Sequence, residues 1–283
     1  PSTFRMILPE CYLEDPSAEG RIASIWATMK DYLVNGTMQD CGEGFILVKR
    51  ATNLSPPRYG LIAAVDLEQY DYSKNSGSLI RASEGTIVSR IPPRIRIRQE
   101  AELELPHIMV LIDDHEKSLI EPLVRNIRNL PLLYETELML RGGHISGYAV
   151  RTPELYSGML KALERMASAQ RKEELYGKQT DLLFAVGDGN HSLATAKAVW
   201  ENLKKTGVPL NHPARFALVE IVNIYDPGLV FHPIHRILFH ADCEDILKEL
   251  KASGQYQITE ASRDAQHKGS SLPADSFLMV SKR

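Results

Sequence analysis

The stretch Phe184-Ala-Val-Gly-Asp-Gly-Asn-His-Ser-Leu-Ala-Thr-Ala constrains the fold more than any other part of the chain. The apolar run 181–186 predicts a strand. Leu193, Ala196, Trp200 and Leu203 recur at helical spacing and predict a helix over 191–206 that ends at Gly207. Gly187, Asp188, Gly189 and Asn190 alone lie between the two, so the strand has to turn sharply into the helix. Gly187 and Gly189 allow such a turn and let the backbone approach a ligand closely. The helix start exposes unpaired N–H groups and a partial positive charge, which suits a phosphate. Asn190 and Ser192 add neutral donors, and His191 can donate protons or hydrogen bonds. Asp188 is a candidate metal ligand or general base. A plainer use stays open, a strand–turn–helix in which Asp188 or Asn190 caps the helix. The spacing is not that of a Walker loop, because no Lys follows the second glycine, nor Gly-x-Gly-x-x-Gly, because a third glycine is absent.

Elsewhere strand and helix signals mingle without a βαβ rhythm. Asp15-Pro16 predicts a helix start ahead of Ile22, Ile25, Trp26, Met29 and Tyr32. Residues 45–49, 61–65, 107–112, 216–222, 231–238 and 277–280 read as strands, and 121–129 as a helix. Residues 132–140 and 144–150 flank Gly142-Gly143 as a hairpin, and Thr152-Pro153 opens another helix. Asp242 caps a short helix bearing Ile246, Leu247 and Leu250. Residues 66–86 read as loop and 175–180 as a polar linker. Residues 87–98 alternate like a strand, which would put Arg94, Arg96 and Arg98 on one face, although Pro92 and Pro93 resist a central strand. The mixture predicts an α+β fold of mixed sheets with packed helices. Its expected organisation is an N-terminal lobe, 1–175, and a C-terminal lobe, 176–283, or one closely packed domain, in a chain that starts at Pro1 as a piece of a longer protein.

The 283 residues are 43% apolar and 24% charged, which excludes a disordered chain, a collagen or a coiled coil. A net charge of -3, from 33 basic and 36 acidic residues, lacks the basic excess of phosphate-dominated binding, so nucleic acid is a disfavoured partner. The longest apolar runs, 108–112 and 182–186, are too short to span a bilayer, and no membrane association is expected. Cys11, Cys41 and Cys243 form no Cys-x-x-Cys and no metal spacing. They read as reduced thiols of a cytoplasmic protein without a protein-held metal.

Three further clusters stand out. Asn223-Ile-Tyr-Asp-Pro-Gly-Leu-Val-Phe-His-Pro-Ile-His-Arg ends on His235 and Arg236 after a Pro227-Gly228 turn signal. Arg81-Ala-Ser-Glu-Gly-Thr, ending at Thr86, offers Arg81 for substrate positioning and Glu84 as a general base. Asp113-Asp114 closes a predicted strand, where capping the next segment competes with Mg²⁺ ligation.

Taken together, these segments resemble one bacterial family, catalogued as domain of unknown function 1015. Gly187-Asp-Gly-Asn-His-Ser-Leu-Ala-Thr-Ala is similar to its Asp-Gly-His-His-Arg-x-x-Thr-Ala box, with Thr195 on the box's Thr. Pro227-Gly-Leu-Val-Phe-His-Pro-Ile-His-Arg resembles its Gly-Leu…Pro-Thr-His-Arg box, and Arg81-Ala-Ser-Glu-Gly-Thr its Arg-x-His-Glu-x-Thr box. Asn190 and Ser192 stand where the family box has His and Arg, and Ser83 where it has His. A wider resemblance links the first box to ParB and sulfiredoxin, whose boxes bind nucleotide phosphates at a helix N-terminus, and to ParB-like kinases of free serine. Sulfiredoxin's reactive Cys is Asn190 here.

The resemblance implies a ParB/sulfiredoxin-like nucleotide-site element within the α+β fold. It also implies a nucleotide-dependent phosphotransferase that acts on free serine or a similar small hydroxy compound with Mg²⁺ and ADP or ATP. Glu84, Asp188 and His191 would then be catalytic, and Gly187, Gly189, Asn190, Ser192 and Thr195 would hold phosphates. Arg81, Thr86, His235 and Arg236 would bind substrate. The expected partners are a nucleotide and a small molecule. The alternative is a nucleotide-binding regulatory protein without turnover.

Overall fold

A computed structural model describes residues 2–53, 55–177, 180–230, 237–259 and 278–279. Pro1–Val230 forms one compact unit and Phe231–Arg283 a second. The helices are α1 (Ala18–Val34), α2 (Ile91–Arg98), α3 (Glu121–Arg125), α4 (Pro153–Ala167), α5 (Ala169–Tyr176), α6 (Asn190–Lys205) and α7 (Cys243–Ala252). The strands are β1 (Phe45–Ala51), β2 (Arg58–Asp66), β3 (Tyr70–Asp71), β4 (Ile80–Ala82), β5 (Met109–Ile112), β6 (Leu132–Glu137), β7 (His144–Val150), β8 (Phe184–Asp188) and β9 (Phe216–Asn223).

The nine strands found among the described residues form one sheet, in the order β3-β4-β8-β5-β9-β2-β1-β7-β6. The pairs β3–β4, β4–β8 and β5–β9 are parallel and the others antiparallel, so the sheet is mixed and the fold is α+β. Period-2 alternation explains the strands: Val110, Ile112, Phe184 and Val186 are buried, while Met109, Leu111 and Ala185 between them are only partly so. The buried side chains join Leu61, Val219 and, from α6, Leu193 and Trp200 in one core. Each is worth roughly 1.5–3 kcal/mol of burial. Met6, Ile25, Met29 and Tyr32 make a smaller core under α1.

Polar locks hold α6 to the turn that follows β2. The Trp200 indole N–H donates to Glu68, the Lys204 ammonium reaches the same carboxylate at 2.7 Å, and Lys197 donates to the Leu67 carbonyl at 2.8 Å. Hydrogen bonds from Lys204 and Trp200 hold the Glu68 carboxyl below its ordinary range. The Arg215 guanidinium forks onto Asp66 at 2.8 and 2.6 Å and lowers that carboxyl likewise.

Several expectations are corrected. Residues 91–98 are helical, not extended: Pro92 and Pro93 occupy the first turn, where a missing N–H is harmless. On a helix Arg94 and Arg98 share a face and Arg96 does not. They pair separately with Glu10, Glu104 and Glu19, so no arginine row exists. Residues 66–86 hold β3 and β4 rather than loop alone. α1 begins at Ala18, because Asp15 accepts from the Ser17 N–H at 2.7 Å and closes a turn ahead of it. Residues 169–176, partly taken as linker, form α5 between a Ser168 cap and a left-handed Gly177. The lobes expected at 1–175 and 176–283 share the sheet: β8 and β9 lie among strands from the first. The strands expected at 231–238 and 277–280 fall largely outside the described residues. In the second unit, Asp242 caps α7 as the sequence predicts, accepting from Glu244 N–H at 2.8 Å.

Candidate functional site

β4 and β8 run parallel with Ala82 beside Val186, so the segments that leave their C-terminal ends emerge together. Ligands of sheet proteins gather at such ends. Two bonds tie the segments. The Asn190 amide donates to Ser83 Oγ at 3.4 Å, and the Ile87 N–H donates to His191 Nε2 at 3.2 Å. Glu84 sits on the span between Ser83 and Ile87, exposed, and Asp188 is exposed at the end of β8. Residues about a hundred positions apart in sequence thus share one surface.

Both glycines of the turn are required by space. The ladder between β5 and β8 is irregular opposite Gly187, where a Cβ would lie 2.7 Å from Leu111 Cγ. Gly189 has φ +82°, and a Cβ there would meet Ile108 Cα at 3.1 Å. Gly189 is itself the N-cap of α6 and neither neighbour's side chain caps the helix. Asp188 Oδ1 instead accepts from the Gly189 N–H at 2.8 Å. The N–H groups of Ser192 and Leu193 both return to the Gly189 carbonyl at 3.0 Å, so Asn190 and His191 carry the open donors of the first turn.

Side-chain roles differ from those expected. Asn190 is 4% exposed and its amide nitrogen points inward, to Ser83 Oγ and the Val186 carbonyl. Its Oδ1 is buried without a partner among the described residues, as is Thr86 Oγ1. Thr195 is buried and donates to the His191 carbonyl at 2.7 Å, a bond inside the helix that takes it away from any phosphate. His191 accepts through Nε2, which places the proton of a neutral ring on Nδ1. Ser192 is half-buried in the first turn.

Arg81 does not join the group. Its Nε donates to the Ser78 carbonyl at 2.7 Å and its Nη2 to Thr180 Oγ1 at 3.5 Å, so the guanidinium turns back toward the start of β8. The segment with the Pro227-Gly228 turn also leaves from the opposite end of the sheet, because β9 is parallel to β5 and β5 is antiparallel to β8. There Asp226 accepts from the N–H groups of Tyr59 at 3.0 Å and Gly228 at 2.7 Å. His235 and Arg236 lie outside the described residues. Asp114 is buried and accepts from the Ser118 N–H at 2.6 Å and the Leu119 N–H at 2.8 Å, so it closes the turn ahead of α3.

At that opposite end lies a cavity of about 260 Å³, whose lining includes Asp113, Arg171, Lys172 and Tyr176. Sequence reasoning missed its α5 wall. The Ser168 cap and Gly177 stop were the available signals.

The family model described as "Protein of unknown function (DUF1015)" matches residues 1–282. No curated protein and no solved structure matches the chain. Among the described residues no helix is long and apolar enough to cross a membrane, and no group of three His, Cys, Asp or Glu side chains is placed to hold a metal ion. Cys11, Cys41 and Cys243 are free thiols.

Proposed function

The chain belongs to the DUF1015 family of unknown function, and we propose that the end of its sheet where β4 and β8 finish is a nucleotide-phosphate site. The protein would use it in the cytoplasm to transfer a phosphoryl group between ADP or ATP and a small hydroxy compound such as free serine. One observation carries the reading: the first turn of α6 presents the open N–H groups of Asn190 and His191 beside a loop bearing Glu84. A helix start of this kind attracts phosphate through both its dipole and its donors. The likeness of Gly187-Asp-Gly-Asn-His-Ser to ParB and sulfiredoxin boxes supports it.

In this reading the two backbone donors hold a phosphate and Ser192 Oγ adds a neutral bond. The His191 Nδ1–H points a second neutral donor at the same group. Asp188 or Glu84 takes the proton of the attacking hydroxyl. Mg²⁺, when bound with the nucleotide, would neutralise charge on the transferring group, held by whichever of Asp188 and Glu84 does not act as base. No arginine stands at position 192, and Arg81 is turned away, so the metal carries the positive charge that family members place at Ser192.

A second reading, nucleotide binding without turnover, is favoured by one bond. With Nε2 occupied by the Ile87 N–H, His191 brings no charge to a transition state. One experiment separates the two. The protein is incubated with ADP, ATP or CTP, Mg²⁺ and serine, binding is followed by calorimetry and product by mass spectrometry. Phosphoserine that disappears in Asp188→Asn or Glu84→Gln establishes the transferase. Nucleotide binding without product in any combination establishes the regulator, and absence of binding removes both.

A further inference from the structure

α5 presses Lys172 against the start of β8. The side chain lines the 260 Å³ cavity although the residue is only 4% exposed, and its ammonium donates to the Leu182 carbonyl. An ammonium has three hydrogens to give. No carboxylate among the described residues stands within ion-pair distance of this one: the neighbouring Glu116 is engaged by Arg165 and, at 3.1 Å, by Arg171. Facing Lys172 is Asp113 at the end of β5. It accepts from the Tyr176 hydroxyl at 2.6 Å, and its Oδ1 is buried without a donor.

A buried cation with spare donors is expensive: among the described residues this one has a single hydrogen-bond acceptor, the Leu182 carbonyl, and the face of the Tyr176 ring at 5.6 Å. Burial holds the Lys172 amine below the ordinary lysine range and Arg81 adds to that, while Asp113 and Asp181 oppose it. Leu111, Leu183 and Ala185 make the apolar part of the wall, and of its other charged groups Arg165 and Arg171 are engaged by Glu116, and Asp114 by the Ser118 and Leu119 N–H groups. The cavity thus holds an ammonium with donors to spare and a carboxylate with one bare oxygen.

We propose that this cavity is a second ligand site, which binds a small carboxylate bearing a hydroxyl or ammonium group on the adjacent carbon. The carboxylate completes Lys172 and the neighbouring donor completes Asp113. One molecule of this class satisfies both groups at once, whereas a simple alcohol brings no charge for Lys172. The site lies at the opposite end of β8 from Asp188 and does not rest on the phosphoryl-transfer reading.

The test uses the full chain with L-lactate, L-serine and glycolate as probes, and 1-propanol and inorganic phosphate as controls. Brief acetic anhydride labelling at mildly alkaline pH, read by peptide mass spectrometry, follows Lys172 against the exposed Lys161. Occupancy both covers the amine and keeps it protonated. At least one hydroxy or amino acid should therefore slow Lys172 acetylation five-fold or more without changing Lys161, and should raise the Tm. Lys172→Met should abolish the Tm rise. Protection should persist in Asp188→Asn, so that this proposal and the phosphate site fail separately. The proposal is overturned if none of the three acids protects Lys172, or if phosphate or propanol protects it as well as they do. Because labelling is read on the wild type, a Lys172→Met chain that fails to fold leaves the test intact.

Discussion

The two ends of β8 invite different chemistry. At its C-terminal end, consecutive residues build a surface from backbone: an N–H pair, a left-handed glycine and exposed carboxylates. At its N-terminal end, side chains from β5, α5 and β8 enclose a cavity around a buried ammonium and a buried carboxylate. The first end is nearly all sequence pattern and little enclosure, and the second is the reverse. Backbone sites imprint glycines at fixed offsets, whereas side-chain cavities draw single residues from segments that are neighbours only after folding.

The largest expected effect falls on the backbone end. Gly189→Val places a β-branched residue at φ +82° with its Cβ against Ile108. It should lower stability by about 1–3 kcal/mol in urea unfolding. A change below ~0.3 kcal/mol would mean the turn is not constrained as described. At the cavity end the opposite should hold. A buried charge without an ion-pair partner is costly to fold, so ligand-free Lys172→Met should unfold no earlier than wild type. A clear loss of stability in that variant would show that the ammonium is already compensated.

The ends also answer pH in different windows. Lys172 has a lowered folded value, so the unfolded chain binds more protons. Stability should rise with pH from that lowered value toward the unfolded lysine value near about 10.4. The rise should vanish in Lys172→Met. Asp66, paired with Arg215, and Glu68, bound by the C-terminal half of α6, have lowered values because of Arg215 and Lys204 respectively. The stability they contribute is present above the unfolded carboxyl value near about 4 and is lost as pH falls below it. Hydrogen exchange at acid pH should open α6 before α5, and the reverse order would contradict this assignment.

The smallest effects concern the phosphate reading. His191 with its proton on Nδ1 and Ser192 each offer one neutral hydrogen bond. Either substitution to Ala should weaken ADP binding by about 0.5–1.5 kcal/mol. The difference between wild type and His191→Ala should stay flat from about pH 6.5 to about 8.5. A steep fall across that range would show that the ring binds as a cation, after breaking its bond to Ile87.

Legibility followed the reach of each signal. The strand–glycine–helix passage at 184–196, the β6–β7 hairpin at Gly142-Gly143 and the Thr152-Pro153 helix start were all readable, because each pattern is complete within a few residues. Residues 91–98 misled because Arg-Ile-Arg-Ile-Arg alternates, yet two prolines fit the first turn of a helix and tertiary packing decided the rest. The meeting of the Ser83–Thr86 segment with α6 came from likeness to a family; no local rule contains it. Arg81 belongs to the same box, and nothing in its neighbours told that its guanidinium turns toward Ser78 and Thr180. Lys172 was invisible as a functional residue, since a lysine in a polar helix is ordinarily solvated.

The strand order has a consequence for synthesis on the ribosome. Among the described residues β9 is the last strand of the chain, yet it lies between β5 and β2. Before Phe216–Asn223 emerges, β2, β1, β7 and β6 can zip into one antiparallel leaf, while β3, β4, β8 and β5 form another. Nothing in the backbone ladder joins the two leaves until then. A nascent chain short of β9 carries two raw edges in addition to β3 and β6, namely β2 on one leaf and β5 on the other, each able to recruit a foreign strand. β9 acts as the keystone: translation has to deliver it before either leaf finds another partner.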